Sequence, residues 1–403
     1  MVSLFASKAT QIISRIEQMK QAEAALISFA SRFSHLYDEN SHEIELFDTE
    51  IPLSSVPLKD GVMCQIYPET KGDKQGGGGG NLIMHGIKVQ SNVYNETGSS
   101  KTAPLVLLHG YANGALYFYR NLFGLSNYSF GGTVYALDLL GWGLSSRPHF
   151  KTKIVEGHDQ ISVAEQFFVE SLEQWRKVHK LEKMTLAGHS MGGYISISYA
   201  EKYPQHVERL ILLSPVGVPD DDGGMKERLS KQPLMVRFMV GAVSMLWTYG
   251  VTPSSFVRGM PESRGRGMVS SYIERRLPAI TCPDERKHLT EYLYTNAKLP
   301  GSGESCLNKI LEPFAFAKRP ILNRIPHLNV RDISFIYGQR DWMDVDAAIE
   351  VQRICNRMKK DDAHDSVPYI SVRGVKNAGN LLMLENWEEF NSAVIHAGTC
   401  GDA

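Results

Sequence analysis

Residues 185–194 read TLAGHSMGGY. An apolar run (Met184, Leu186, Ala187) meets Gly188-His189-Ser190-Met191-Gly192, and a helix-like stretch (Tyr194, Ile195, Ile197, Tyr199, Ala200) leaves it. This predicts strand, sharp turn and helix, with a serine at the apex in the form G-x-S-x-G. The glycines have a mechanical reason, because a Cβ at Gly188 or Gly192 would meet neighbouring backbone in so tight a turn. Ser190 is thereby lifted clear with its hydroxyl available as a nucleophile. The N–H of Met191, at the start of the helix, can face a developing oxyanion.

Working outward, Ala103 to Leu108 is an apolar run that enters the loop His109-Gly110-Tyr111-Ala112-Asn113-Gly114. An HG loop upstream of such a serine supplies a second oxyanion donor, here the N–H of Tyr111, and His109 reads as a structural residue of that loop. Thr133 to Asp138 is a further strand, followed by LLGWGLSSRP (139–148), and Ile161 to His179 has helical periodicity. Arg209 to Ser214 is the strand after the serine helix. Asp332 to Gly338 is a late strand, and Gly338-Gln339-Arg340-Asp341-Trp342-Met343-Asp344 is the loop after it. A triad acid belongs on such a loop, after the serine in chain order, which makes Asp341 the acid and Asp344 its alternative. A charged helix (Ala347 to Lys359), a last strand (Tyr369 to Val372), the loop Lys376-Asn377-Ala378-Gly379-Asn380 and a helix from Glu385 to Ala397 complete the chain. Strands alternating with helices predict an α/β fold, a mostly parallel sheet with helices on both faces.

Residues 1–40 form a separate expectation, an N-terminal amphipathic helix. Phe5, Ala9, Ile12, Ile16, Met19, Ala22, Leu26, Phe29 and Phe33 recur at three- and four-residue steps, with Lys8, Arg15 and Lys20 off that stripe. The stripe either packs on the domain or meets a membrane or lipid droplet. The core is expected at 50–215 and 329–403. Residues 70–80 (TKGDKQGGGGG) read as a flexible insertion. Residues 216–328 break the alternation and read as an inserted helical cap. Its apolar part, Leu234 to Val251, suits an acyl channel or a lipid-facing surface. Arg258, Arg264 and Arg266 can be read as a solvated face or as a phosphate-binding group, because guanidinium forks match phosphate oxygens.

Composition removes several classes. A net charge of -1 over 403 residues argues against a nucleic-acid binder. Cys64, Cys282, Cys306, Cys355 and Cys400 are scattered, with no C-x-x-C, which fits a reducing compartment and neither a disulfide frame nor a zinc site. No uncharged apolar stretch reaches the roughly 18 residues of a spanning helix, the nearest being Leu234 to Val251 with Arg237 and Gly241 inside it, and no signal peptide is evident. The expected location is cytoplasmic and peripheral, on a membrane or lipid droplet. The first 16 residues lack acid, which makes a mitochondrial address a second expectation. The chemistry needs neither a metal nor a cofactor.

PLVLLHGY, VYALDLLGWGLSSRP, FVESLEQWRK, GHSMGGYISISYAEKYPQHVERLILLSPVGVP and FIYGQRDWMD together resemble one branch of the α/β-hydrolases. It holds the N-acyl-phosphatidylethanolamine lipases and the lysophosphatidate acyltransferase/lipase-coactivator proteins. The resemblance covers most of 100–215 and 330–395. It implies a serine-type acyl-ester hydrolase or acyltransferase acting on (lyso)glycerophospholipids, with acyl-CoA as a candidate donor. That branch also contains a member that has lost its nucleophile and serves as a coactivator of a lipase, so a lipid-binding regulator without turnover is the alternative. One departure is sharp. Where the family's last loop reads Ala-Gly-His, followed by an acidic residue, this chain reads Ala378-Gly379-Asn380 with Glu385 in the acidic position. An amide nitrogen is not basic, so Asn380 cannot take the serine proton. In a serine hydrolase stripped of its triad histidine, kcat falls about a millionfold.

Overall fold

The computed structural model describes residues 2–36, 42–52, 55–57, 63–65, 81–92, 102–128, 130–148, 159–219, 235, 241, 244–247, 250–312, 316–361 and 367–399. The glycine-rich segment at 70–80, most of Leu234 to Val251, and three of the chain's other histidines (149, 158 and 364) lie outside the described residues.

The strands are β1 (His42–Ile51), β2 (Ser55–Pro57), β3 (Met63–Gln65), β4 (Leu82–Ser91), β5 (Leu105–Leu108), β6 (Thr133–Leu137), β7 (Met184–His189), β8 (Val207–Leu213), β9 (Asp332–Gly338) and β10 (Tyr369–Val375). Eight of them form one sheet in the order β1-β4-β6-β5-β7-β8-β9-β10, and β2 and β3 pair apart from it. β1–β4 and β4–β6 are antiparallel, and every pair from β6 to β10 is parallel. The fold class is therefore α/β with a mostly parallel sheet.

The helices are α1 (Val2–Ala30), α2 (Leu122–Tyr128), α3 (Gln160–Val178), α4 (Met191–Lys202), α5 (Pro253–Gly259), α6 (Glu262–Arg276), α7 (Pro283–Lys298), α8 (Gly303–Ile310), α9 (Val345–Asp361), α10 (Leu382–Glu385) and α11 (Trp387–Thr399). Alternation along β5 shows how the layers form. Val106 and Leu108 join Phe167, Trp175, Ile197 and Val351 on one side of the sheet, beneath α3, α4 and α9. Leu105 and Leu107 join Leu26, Leu122, Tyr292 and Val394 on the other, beneath α1, α2, α7 and α11.

Two of the boundaries that differ from the sequence expectation have a clear physical reason. The sheet begins at His42, before residue 50, because β1 pairs along its whole length with β4. The last helix begins at Trp387 rather than Glu385. Asn386 interrupts it and accepts a bond from the N–H of Glu389 (3.4 Å), a capping arrangement three residues into the helix.

On α1 the predicted stripe packs inward: Met19, Ala22, Leu26 and Phe29 are buried. Thr295 of α7 donates to the Met19 sulfur, and Arg15 donates to the carbonyl of Lys298. The deepest anchor is ionic. His85 of β4 donates from Nε2 to Glu23 of α1 (3.0 Å) and from Nδ1 to Asp48 of β1 (2.6 Å). Glu23, His85 and Asp138 converge within 4.8 Å. Asp138 uses its oxygens on the N–H groups of Ala115 and Leu144, which suits a charged clamp between layers.

Burial pulls the His85 pKa down, but the carboxylates of Glu23, Asp138 and Asp48 outweigh it and lift the value from 6.5 to about 9. Burial also raises the Glu23 carboxyl, so the pair gives less than the imidazole shift alone, which corresponds to about 3 kcal/mol at most. The sign follows from the raised value. The His85 contribution is complete below the unfolded pKa of 6.5 and is lost as pH rises through about 9. Urea unfolding between about pH 7 and about pH 10 should therefore show falling stability, and His85→Gln should remove most of that slope. An unchanged slope in His85→Gln would assign it to other groups.

Candidate active site

β7 ends at His189, and α4 begins at Met191. Ser190 between them has φ 53 and ψ -114, a conformation that side chains other than glycine rarely adopt. Its N–H is fixed to the carbonyl of Leu213 at the end of β8 (2.9 Å), and its carbonyl accepts from Val216. A Cβ on Gly192 would lie 2.4 Å from the Leu108 carbonyl oxygen, and one on Gly188 would lie 2.2 Å from that of Gly192. The turn can thus press against the end of β5 only with glycine at both positions. Met191 and His189 are buried, whereas Ser190 is only half-buried.

The same close packing brings the HG loop to the serine. A Cβ on Gly110 would lie 3.2 Å from the Ser190 Cβ. Among the described residues, neither the Tyr111 N–H nor the Met191 N–H is engaged in the backbone bonds of turns and loops. His109 is fully buried. Its Nε2 accepts from Leu139 N–H (3.0 Å), which leaves Nδ1 to donate to the Gly110 carbonyl (2.7 Å). Burial lowers its pKa, so it is a neutral brace for this loop.

The loops after β9 and β10 meet close by. A Cβ on Gly338 would lie 2.2 Å from the Gly379 carbonyl oxygen. Asn380 is buried and donates from Nδ2 to Asp341 Oδ1 (3.3 Å), which also accepts from Met343 N–H (3.0 Å). Asp341 Oδ2 accepts from the Ser214 hydroxyl (2.5 Å). Asp344 instead accepts from Ala347 N–H (3.1 Å), which makes it the N-cap of α9. The structure therefore separates the two aspartates: Asp341 faces residue 380, and Asp344 starts a helix.

The Asn380 loop is held on all sides. Glu385 accepts from the N–H groups of Gly379 (2.9 Å) and Leu381 (3.3 Å), and Arg340 N–H donates to the Ala378 carbonyl (2.8 Å). His189 donates from Nε2 to the Asn380 carbonyl (2.9 Å). Among the described residues the His189 Nδ1 is buried without a hydrogen-bond partner, and burial drives the imidazole pKa down to about 4. His189, read in the sequence only as part of the turn, thus links that turn to the Asn380 loop. Glu385→Ala should lower unfolding free energy by about 2 kcal/mol, because it removes a charged acceptor from two amides. Faster hydrogen exchange at Gly379 and Leu381 would check that assignment, and unaltered exchange there would refute it.

The three arginines differ in their surroundings. Arg258 donates to Glu304 and to the carbonyls of Ala297 and Leu299. Arg266 is paired with Glu291 and Glu262. Arg264 is exposed on α6. Arg258 and Arg266 thus bind the helices between β8 and β9 to one another and already face carboxylates. Those helices reach the HG loop: Asn296 donates to the carbonyls of Ala112 and Asn113, and Tyr111 and Ser254 hydroxyls bond at 3.3 Å. Arg147, at the end of the 139–148 loop, spans Gly141, Gly143, Asn296 and Pro300.

Residues 103–238 match a family model described as the alpha/beta hydrolase fold. The chain is 35% identical over 305 residues to a "Probable 1-acylglycerol-3-phosphate O-acyltransferase" of Oryza sativa subsp. japonica, covering 74% of this chain and 68% of that protein. It is 33% identical over 319 residues to a "1-acylglycerol-3-phosphate O-acyltransferase ABHD5" of Mus musculus, covering 77% and 81%. Among solved structures, a carboxylesterase from Bacillus subtilis superposes with a TM-score of 0.53 at 18% identity, covering 96% of this chain and all of that one. A bacterial membrane phospholipase A gives 0.52 at 18%, covering 98% and 96%. At that identity the structural likeness speaks to the fold alone.

Proposed function

Since the chain belongs to the α/β-hydrolase branch whose members include the proteins named 1-acylglycerol-3-phosphate O-acyltransferase, we propose that Ser190 is the nucleophile of a site for glycerophospholipid acyl esters, held nearly silent by Asn380. The observation that carries this reading is the coincidence of three loops. The serine stands at a strained turn beside Gly110, and Asn380 is bonded to Asp341, the two positions that an acid–histidine pair would occupy in this reading. The amides of Tyr111 and Met191 would stabilise the oxyanion. Residues 216–328 would form the lid, a role supported by the bonds from Asn296 and Ser254 to the HG loop.

The chemistry is acyl transfer. The Ser190 oxygen attacks the ester carbonyl, the lipid alcohol leaves, and water or a second lipid hydroxyl takes the acyl group from the serine. With acyl-CoA as donor, the leaving group is the CoA thiol. Each half-reaction needs a base for one proton, and the Asn380 amide cannot supply it. A regulator that binds lipid without turnover is the second reading, and Asn380 itself favours it.

Among the described residues no helix is long and apolar enough to cross a membrane. Fatty-acid release from lysophosphatidate by an Asn380→His variant, with Ser190→Ala as control, tests the reading. No Ser190-dependent release, together with no fluorophosphonate labelling of Ser190, would exclude it.

A further inference from the structure

We propose that Ser214 is a positioning residue of this site: its hydroxyl holds the Asp341 carboxylate in line with residue 380. This rests on the reading of Asp341 as the acid.

Ser214 follows β8, is fully buried and has φ 43. That left-handed backbone suits glycine, and strain of this kind persists where the surroundings over-determine it. Three other non-glycine residues with positive φ, Ala112, Ser190 and Asn377, lie in the loops already described. A glycine at 214 would adopt the backbone freely, so what the strained serine adds is its side chain. Among the described residues that side chain donates to Asp341 Oδ2 at 2.5 Å. The backbone around it is tied on both sides. Ser214 N–H donates to Ile336 of β9 (2.9 Å), and the preceding carbonyl, that of Leu213, receives the Ser190 N–H. One short segment therefore fixes the serine turn through its main chain and the aspartate through its side chain.

The carboxylate needs this. Oδ1 is held by Met343 N–H and receives the Asn380 amide, whereas Ser214 holds Oδ2. Without the hydroxyl, the carboxylate can turn about its last bond, and a donor at 380 loses an aligned acceptor. A hydrogen bond to a charged group is among the stronger ones, so the orientation it sets is well defined.

The test uses Asn380→His with and without Ser214→Gly, and with Ser214→Ala alongside. Glycine keeps the fold because it accepts the backbone, yet it removes the hydroxyl. Proton–nitrogen NMR reads the introduced imidazole without requiring turnover. With Ser214 present, its Nδ1 proton should be protected and downfield. In both Ser214 variants that proton should exchange rapidly, and the imidazole should titrate lower by about one pH unit, because the carboxylate no longer faces it steadily. Where turnover is present, kcat should fall roughly tenfold, with KM unchanged. If the imidazole signal and its titration are the same with glycine at 214, Ser214 only joins β8 to the β9 loop and the proposal fails. If the signals change as expected but no Ser190-dependent turnover exists, the hydrolase reading fails and Ser214 keeps its role.

Discussion

Asn380→His is expected to raise Ser190-dependent fatty-acid release at least about a thousandfold, which is part of the roughly millionfold that a triad histidine carries. The reason lies in connectivity and in the loop's fixed backbone. Asn380 Nδ2 and a histidine Nδ1 stand the same number of bonds from Cβ, and Nδ2 already donates to Asp341 Oδ1 at 3.3 Å. An imidazole placed on this backbone would donate from Nδ1 to the same oxygen and leave Nε2 unprotonated, as the proposed base for Ser190 requires. Little reorganisation is required, because Glu385, Arg340 and His189 hold the loop through main-chain groups that the substitution leaves intact. His189 is no substitute base in the chain as written. Its Nε2 is occupied by the Asn380 carbonyl, and burial leaves it a weak base, with a pKa of about 4. The measurement is release from a lysophospholipid panel by the chain, by Asn380→His, and by Asn380→His with Ser190→Ala. A gain that survives Ser190→Ala, or turnover already present before the substitution, would reject this assignment.

How much of this was legible in the sequence depends on the range of the interaction. The serine turn was, because its strain and its glycines are encoded within five residues. The parallel sheet was, because alternating apolar runs and helical periods are local patterns. β1 was harder. In HEIELFDTEI the outward Ile44 and Leu46 remain 37% and 45% exposed, so the strand pairs by its backbone and contributes little to the core. The pairing of Arg258 and Arg266 was not legible because their partners are far along the chain: Arg258 finds Glu304, and Arg266 finds Glu291. Ser214 carried no signal, since nothing near it shows that its hydroxyl will meet a carboxylate 127 residues later. The clamp of Glu23, His85 and Asp48 joins three elements and could be read only once they were assembled.

Asp341→Asn, made in the Asn380→His background, is expected to lower kcat about ten-thousandfold, while Asp344→Asn in that background leaves kcat nearly unchanged. Both residues lie on the loop between β9 and α9, so the contrast isolates geometry from composition. Asp341 holds residue 380 on one oxygen and Ser214 on the other. An amide there could present an N–H to the imidazole, favouring the wrong tautomer and leaving the imidazolium of the transition state without its counter-charge. Asp344 accepts from Ala347 N–H at the first turn of α9. An amide oxygen can still accept that bond, so its loss of charge should cost only about 0.5 kcal/mol of stability, through the weaker interaction with the helix N-terminus. Steady-state kinetics and urea unfolding on the two variants read both quantities. A large kinetic loss in Asp344→Asn with a small one in Asp341→Asn would move the acid to the other aspartate, and the Asp341–Asn380 bond would then be a loop contact alone.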